Sequence, residues 1–172
     1  EERWGRVISS LNKTAGTGLG YFRRYQTIGE ALGWNGITCT DVANCQQLRA
    51  IVQGKLRQLW DQAEKQAEEE VGKDFDGWVP IIGEPDHIKL FVKDEPTKVS
   101  KMEQKRFRLI SCLSLEEQCV DRWLFMDWVE TQIENVMRIP SKTGWSPMPN
   151  GFRNYFLEMH GSGLATDCSA FD

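Results

Sequence analysis

Two stretches of this chain hold residues whose types and spacing could do chemistry. The first runs Lys93, Asp94, Glu95, Pro96, then Lys98, Lys101, Lys105, Arg106, Phe107 and Arg108. Cations three or four positions apart on a loop, followed by a strand bearing Arg108, suit a triphosphate, whose many oxygens call for donors from several directions. The second is Asp167, Cys168, Ser169, Ala170, Phe171, Asp172. A carboxylate at a strand end is what a hard cation such as Mg²⁺ accepts, with phosphates and water completing its shell. Alone, two Asp residues five positions apart are a weak sign, because Asp is common in helix caps and turns. Ser169 also fails the Asp-x-Asp pattern of aspartyl-phosphate enzymes.

The charge pattern sharpens the first stretch. The 172 residues sum to −4, but Lys89 to Arg108 holds seven bases against three acids, a local +4, which leaves −8 on the other 152. Much of that negative charge lies between Asp61 and Asp76, where seven acids face only Lys65 and Lys73. An acidic whole argues against a nucleic-acid partner. Recognition is local, however, and one dense basic stretch is enough to attract phosphate. The competing reading of such a run is a solvated loop.

The elements that must hold these residues follow from periodicity. Between Asp41 and about Val71, Leu48, Ile51, Val52, Leu56, Leu59, Ala63 and Ala67 recur at three and four, marking one face of a long scaffold helix that Gly54 could kink. Ile88 to Val92 and Phe107 to Cys112 read as strands, and the basic segment between them, with Pro96 and no period, as the loop that closes the pair. Ser114 and Glu117 have the spacing of a capping box and start a helix that should run to about Arg138, stopped by Pro140. Val120, Trp123, Leu124, Phe125, Trp128, Val129, Ile133 and Val136 make it apolar on more than one side, as in a helix buried between layers. Residues 141 to 151 form a loop, and Gly163 to Cys168 approaches the acidic tip as a strand.

Thr14 to Gly20 is rich in glycine and reads as loop. It lacks the spacing and the terminal Lys-Ser/Thr of a phosphate-binding P-loop. Five cysteines, none two residues apart from another, point to reduced and mostly buried thiols in a cytosolic protein rather than a zinc site. Of the seven tryptophans, Trp4, Trp34, Trp78 and Trp145 could stack on a base, with packing the more common role. At 40% hydrophobic and 27% charged, the composition is that of one ordinary globular domain, which buries roughly 70% of its unfolded surface. There is no signal-like opening, and no apolar run approaches the ~20 residues of a membrane span. A start at Glu1 and a stop inside an acidic motif read as an excerpt of a longer polypeptide.

In this order the two stretches resemble the RNA-directed RNA polymerases of positive-strand RNA viruses, most of all the sobemovirus and polerovirus type. LFVKDEPTKVSKMEQKRFRLIS (Leu90 to Ser111) resembles motif F of the fingers. ATDCSAFD (Ala165 to Asp172) resembles motif A of the palm, and SLEEQCVDRWLF (Ser114 to Phe125) continues the likeness between them. The Gly-rich NKTAGTGLGYF (Asn12 to Phe22) is similar to motif G, without the Pro that often follows the glycine there.

The resemblance implies an α+β fold, the fingers and beginning of the palm of a right-hand polymerase, with fingers over 1–112 and the start of the palm over 113–172. It makes Asp167 and Arg108 catalytic, with Asp167 holding Mg²⁺ (or Mn²⁺). Lys93, Lys101, Lys105, Arg106 and Arg108 would bind the nucleotide, and Glu95 would orient one of these cations. Thr14 and Gly16 would border the template channel. Asp172 would recognise the ribose 2′-hydroxyl, where a reverse transcriptase typically places an aromatic block; here Phe171 comes one position too early. Implied partners are RNA template and primer, ribonucleoside triphosphates, the remaining palm and thumb, and other viral replication proteins. The implied setting is the host cytoplasm, with membrane-bound replication complexes among its sites. Motifs B to E of such a palm do not occur in these residues, so the 172-residue chain alone is expected to be inactive. A non-catalytic RNA-binding module and a reverse-transcriptase fragment are the alternatives.

Overall fold

The computed structural model describes residues 2–70 and 86–140, together with 142, 146, 153 and 157, residues 69 and 70 by their backbone alone. The chain divides into two compact units, Glu1–Trp123 and Leu124–Asp172. The described part is mixed. It contains helices α1 (Glu2–Ser10), α2 (Ile28–Leu32), α3 (Val42–Glu70), α4 (Val99–Glu103) and α5 (Leu115–Glu134), and one antiparallel sheet of β1 (Lys89–Val92) and β2 (Leu109–Cys112). No described helix is long and apolar enough to cross a membrane.

Local chemistry explains where the helices begin and end. Asp41 caps α3, its Oδ1 accepting the Asn44 N–H at 2.9 Å. Thr27 caps α2 in the same way through the Glu30 N–H at 3.1 Å. Neither α1 nor α2 is visible in the pattern of apolar residues, because α1 buries only Val7 and α2 is five residues long. Asn44 then ties α2 to α3, its Nδ2 donating to the Ala31 carbonyl at 2.8 Å. The first unit's core gathers Val7, Phe22, Ile28, Leu32, Leu48, Val52 and Leu115.

The long helix lies where its periodicity puts it, unbroken through Gly54. Its burial is uneven. Leu48 and Val52 are in the core and Ile51, Leu56 and Leu59 half-buried, while Ala63 and Ala67 are exposed. The start of α5 is also as expected, with the Ser114 Oγ accepting the Glu117 N–H at 3.0 Å. The other half of a capping box is replaced: the Glu117 carboxylate accepts from Lys55 Nζ at 2.6 Å. The helix ends at Glu134 and continues as turns, with Arg138 N–H bonded to Asn135 O at 2.7 Å. Its expected burial on several sides is not found. Leu124, Phe125, Val129 and Ile133 are exposed, and Trp128 is 60% exposed. The apolar pattern therefore marks a surface that the described residues do not cover.

The thiols differ from expectation too. Cys39, Cys45 and Cys112 are free and half-exposed, and only Cys119 among the described cysteines is buried. Burial pushes the Cys119 thiol up to about 12. Trp4 packs on Trp123 with centroids 6.5 Å apart, and Trp34 lies under the Lys13 ammonium at 5.1 Å, so both have packing roles. Trp78, Trp145, the 141–151 loop apart from 142 and 146, and the strand approach from Gly163 lie outside the described residues.

Candidate functional site

The hairpin forms with the register Lys89 to Cys112, Leu90 to Ser111, Phe91 to Ile110 and Val92 to Leu109. One further bond, Lys93 N–H to Arg108 O at 2.8 Å, carries the ladder beyond its formal end. Lys93 and Arg108 thus stand across from each other. Two like charges so placed repel, by a few tenths of a kcal/mol to about 1 kcal/mol. Glu95 compensates both, its Oε2 lying 2.8 Å from Lys93 Nζ and 3.4 Å from Arg108 Nη1. The hydrogen bond from Lys93 holds the Glu95 carboxyl below the usual carboxylate range, against an opposing effect of desolvation and with the charges of Arg108, Lys93 and Lys101 adding to it. Glu95 is thus paired with two of the basic side chains, Lys93 and Arg108, rather than one.

The basic segment is not the plain loop its lack of period suggests. Val99–Glu103 forms the single-turn helix α4, which ends in a Schellman motif: Arg106 N–H bonds to Lys101 O at 2.9 Å and Lys105 N–H to Met102 O at 3.0 Å. The left-handed position of this motif, usually glycine, is Lys105 at φ 55°. A non-glycine residue there costs about 1 kcal/mol. Lys101, Lys105, Arg106 and Arg108 are all exposed, and among the described residues the side chains of Lys101, Lys105 and Arg106 have no ion-pair partner.

The Gly-rich loop is built in the opposite manner. Thr17 is buried, its Oγ1 donating to Tyr25 O at 2.8 Å and its carbonyl accepting the Leu115 N–H at 2.8 Å. Gly18 has φ 71°, and a Cβ on it would collide with the Leu113 carbonyl. A Cβ on Gly20 would strike the Glu116 carboxylate. Glu116 is 1% exposed; its Oε1 accepts the Phe22 N–H at 3.2 Å, and its Oε2 has no partner among the described residues. The glycines thus let this loop lie directly on the start of α5. Thr14 is exposed and bonded to Asn12 Oδ1 at 2.8 Å, whereas Gly16 faces Cys112 of the hairpin.

Between loop and hairpin lies a cavity of about 400 Å³ lined by Gly16 to Gly18, Arg23 to Gln26, Lys89, Phe91 and Cys112. Arg23, Arg24 and Lys89 give it positive charge, and Tyr25 and Phe91 give it aromatic faces. The Arg24 guanidinium lies over the Tyr25 ring at 4.9 Å. The local signal for these residues is the run Arg23, Arg24, Tyr25, which sets two cations beside an aromatic ring, a combination that suits nucleic acid. Asp167 and Asp172 lie outside the described residues. Among the described residues, no three His, Cys, Asp or Glu side chains come together to hold a metal ion.

A family model described as viral RNA-directed RNA polymerase matches this chain over residues 8–146, which take in both the glycine-built loop and the hairpin. The chain belongs to that family. It is 40% identical over 88 residues to Protein P1-P2 of pea enation mosaic virus-1, covering 50% of this chain and 8% of that protein. It is 49% identical over 59 residues to Replicase polyprotein P2AB of cocksfoot mottle virus, covering 34% and 6%. Protein P1-P2 of turnip yellows virus is 45% identical over 60 residues, covering 35% and 6%. The matches therefore take in less than a tenth of each relative's length. No solved structure matches.

Proposed function

We propose that this chain supplies the fingers (1–112) and the beginning of the palm (113–172) of a right-hand RNA-directed RNA polymerase that copies a viral RNA genome from ribonucleoside triphosphates. One observation carries the reading. Lys93 and Arg108 are held side by side at the end of a hairpin, with Lys101, Lys105 and Arg106 exposed on the same arm. A triphosphate carries several negative oxygens, and a cluster of fixed cations binds it at lower reorganisation cost than one mobile lysine. Lys105 adds support. It occupies a backbone position where glycine would be less strained, and strain kept at a charged residue points to use of that charge.

The cavity beside Gly16 supports a template path, with stacking from Tyr25 and Phe91 and phosphate contacts from Arg23, Arg24 and Lys89. Thr14, on the exposed lip of the same loop, would meet the strand outside the cavity. A carboxylate suits a divalent ion, so Asp167 is the proposed ligand of Mg²⁺ (or Mn²⁺), which when bound would neutralise phosphate charge. Asp172 would select the ribose 2′-hydroxyl. RNA template and primer, the rest of palm and thumb and other viral replication proteins are the proposed partners, in the host cytoplasm and at membrane-bound replication complexes. The family match disfavours a non-catalytic RNA-binding module and a reverse transcriptase.

The test is made in the complete polymerase that carries this segment. Arg108→Ala should raise KM for nucleotides, and Asp167→Asn should abolish synthesis with RNA affinity nearly unchanged. Survival of synthesis in Asp167→Asn would remove the metal assignment. Primer extension by the 172-residue chain alone would contradict its expected inactivity.

A further inference from the structure

The two ends of the cation-bearing arm are not held alike. Its exit is fixed by the Gly-rich loop: Gly18 lies against Leu113, Cys112 faces Gly16, and Leu115 N–H bonds to Thr17 O. Its entry is fixed at Asp86. The Asp86 N–H donates to Glu117 Oε1 at 3.3 Å, and its Oδ2 accepts from the Ser114 hydroxyl at 2.6 Å. Two carboxylates, Asp86 and Glu117, therefore converge, and one cation holds them. Lys55 Nζ, from the middle of α3, lies 3.3 Å from Asp86 Oδ1 and 2.6 Å from Glu117 Oε1.

We propose that Lys55 is a positioning residue for nucleotide addition: by joining Asp86 to Glu117 it fixes the strand that carries Lys93 against α3 and α5. The inference rests on the reading that Lys93 faces the nucleotide. Burial alone would lower the Lys55 ammonium, but the hydrogen bond and charge of Glu117, with those of Asp86, outweigh it and raise its pKa above the ordinary lysine value. The cation is thus charged wherever a polymerase works. Without it, the link from α3 to Asp86 and Glu117 is gone and their like charges are left facing, so the entry strand is no longer fixed in its seat while the exit strand stays held. Lys93 then loses its place opposite Arg108, and the pair that meets the triphosphate is split.

Steady-state kinetics of the complete polymerase test this. Lys55→Met should raise KM for nucleotides about tenfold with kcat little changed, and Lys55→Arg, whose fork can span both carboxylates, should restore it. Adding Glu117→Gln to Lys55→Met removes the repulsion without restoring the tie, so thermal stability should recover while KM stays high. If KM recovered together with stability, or if Lys55→Met lowered stability with no change in KM, the role would be structural only and the proposal overturned. Lys93→Ala separates the two readings. Should Lys93→Ala leave KM unchanged, the nucleotide-facing assignment itself fails; should it raise KM while Lys55→Met does not, only the positioning role fails.

Discussion

The Gly-rich loop and the basic hairpin are neighbours built on opposite principles. Where the loop meets the start of α5, polar groups are turned inward: Thr17 of the loop and Glu116 of the helix are buried, backbone donors are met by fixed acceptors, and Gly18 and Gly20 leave no side chain to hold the loop off α5. In the hairpin, every residue of β1 is exposed and the charged side chains project from a two-stranded ribbon. A two-stranded ribbon is marginal by itself. The difference separates support from contact. The loop and the helix start form a seat, and the hairpin is a charged arm whose place is set at its ends, at Asp86 and at Leu113 to Leu115.

Several measurements would break or sharpen that contrast. The largest effect is expected in thiol reactivity. With its pKa near 12, Cys119 should alkylate at pH 8 on the order of a thousandfold more slowly than a thiol at the ordinary 9.0, and more slowly than half-exposed Cys112 on the hairpin. Mass mapping of iodoacetamide adducts checks this, and equal rates would show that the seat is open. Next, Gly18→Ala forces a Cβ into the Leu113 carbonyl at positive φ and should cost about 3 kcal/mol. In a melting experiment that is a fall of about 6–12 °C. Lys55→Met should cost about 1–2 kcal/mol, since the group is mostly but not wholly buried. Because its pKa is raised in the fold, that contribution is fully present below the unfolded value of 10.5 and is lost as pH rises through the higher folded value, so wild type and variant should converge only in strong alkali.

On the arm the same measurements should read differently. Lys105→Gly relieves the left-handed backbone, a gain of about 1 kcal/mol, and at the same time removes a cation. Stability should therefore hold or rise while KM for nucleotides increases in the complete polymerase. The smallest effect is expected at Glu95. Its pKa is lowered, so its contribution is present above the ordinary carboxylate value of 4.5 and lost as pH falls through the folded one. Glu95→Gln should leave the melting temperature unchanged at neutral pH. A large drop would mean that the arm is part of the seat.

What could be read from sequence divides along the same line. The long helices and the two strands follow from period, and strand pairing alone places Lys93 opposite Arg108 once the register is set. The helices α1, α2 and α4 escape notice because each is short and buries at most one turn of side chains. Lys105 in a glycine position is invisible without the backbone. Glu116 and Glu117 look like ordinary solvated acids in a first helical turn, yet one is buried beneath a glycine loop and the other is bound to Lys55, 62 residues away. No local pattern encodes a partner that distant. The apolar residues of α5 mislead in the other direction, since burial inferred from composition needs a covering surface that the described residues do not include.

The short bond from Ser114 to Asp86 has one more consequence. It closes a ring of chain 28 residues around, with the arm entirely inside it. Ring closure depends only weakly on length, and doubling the contour costs about 0.6 kcal/mol. The segment between Lys93 and Arg106 is therefore a place where residues can be inserted or exchanged with little penalty to the fold beneath. Variation in reach and charge there can tune how the molecule handles its ligands, while the clasp at 86 and 114 keeps the rest of the architecture unaware of the change.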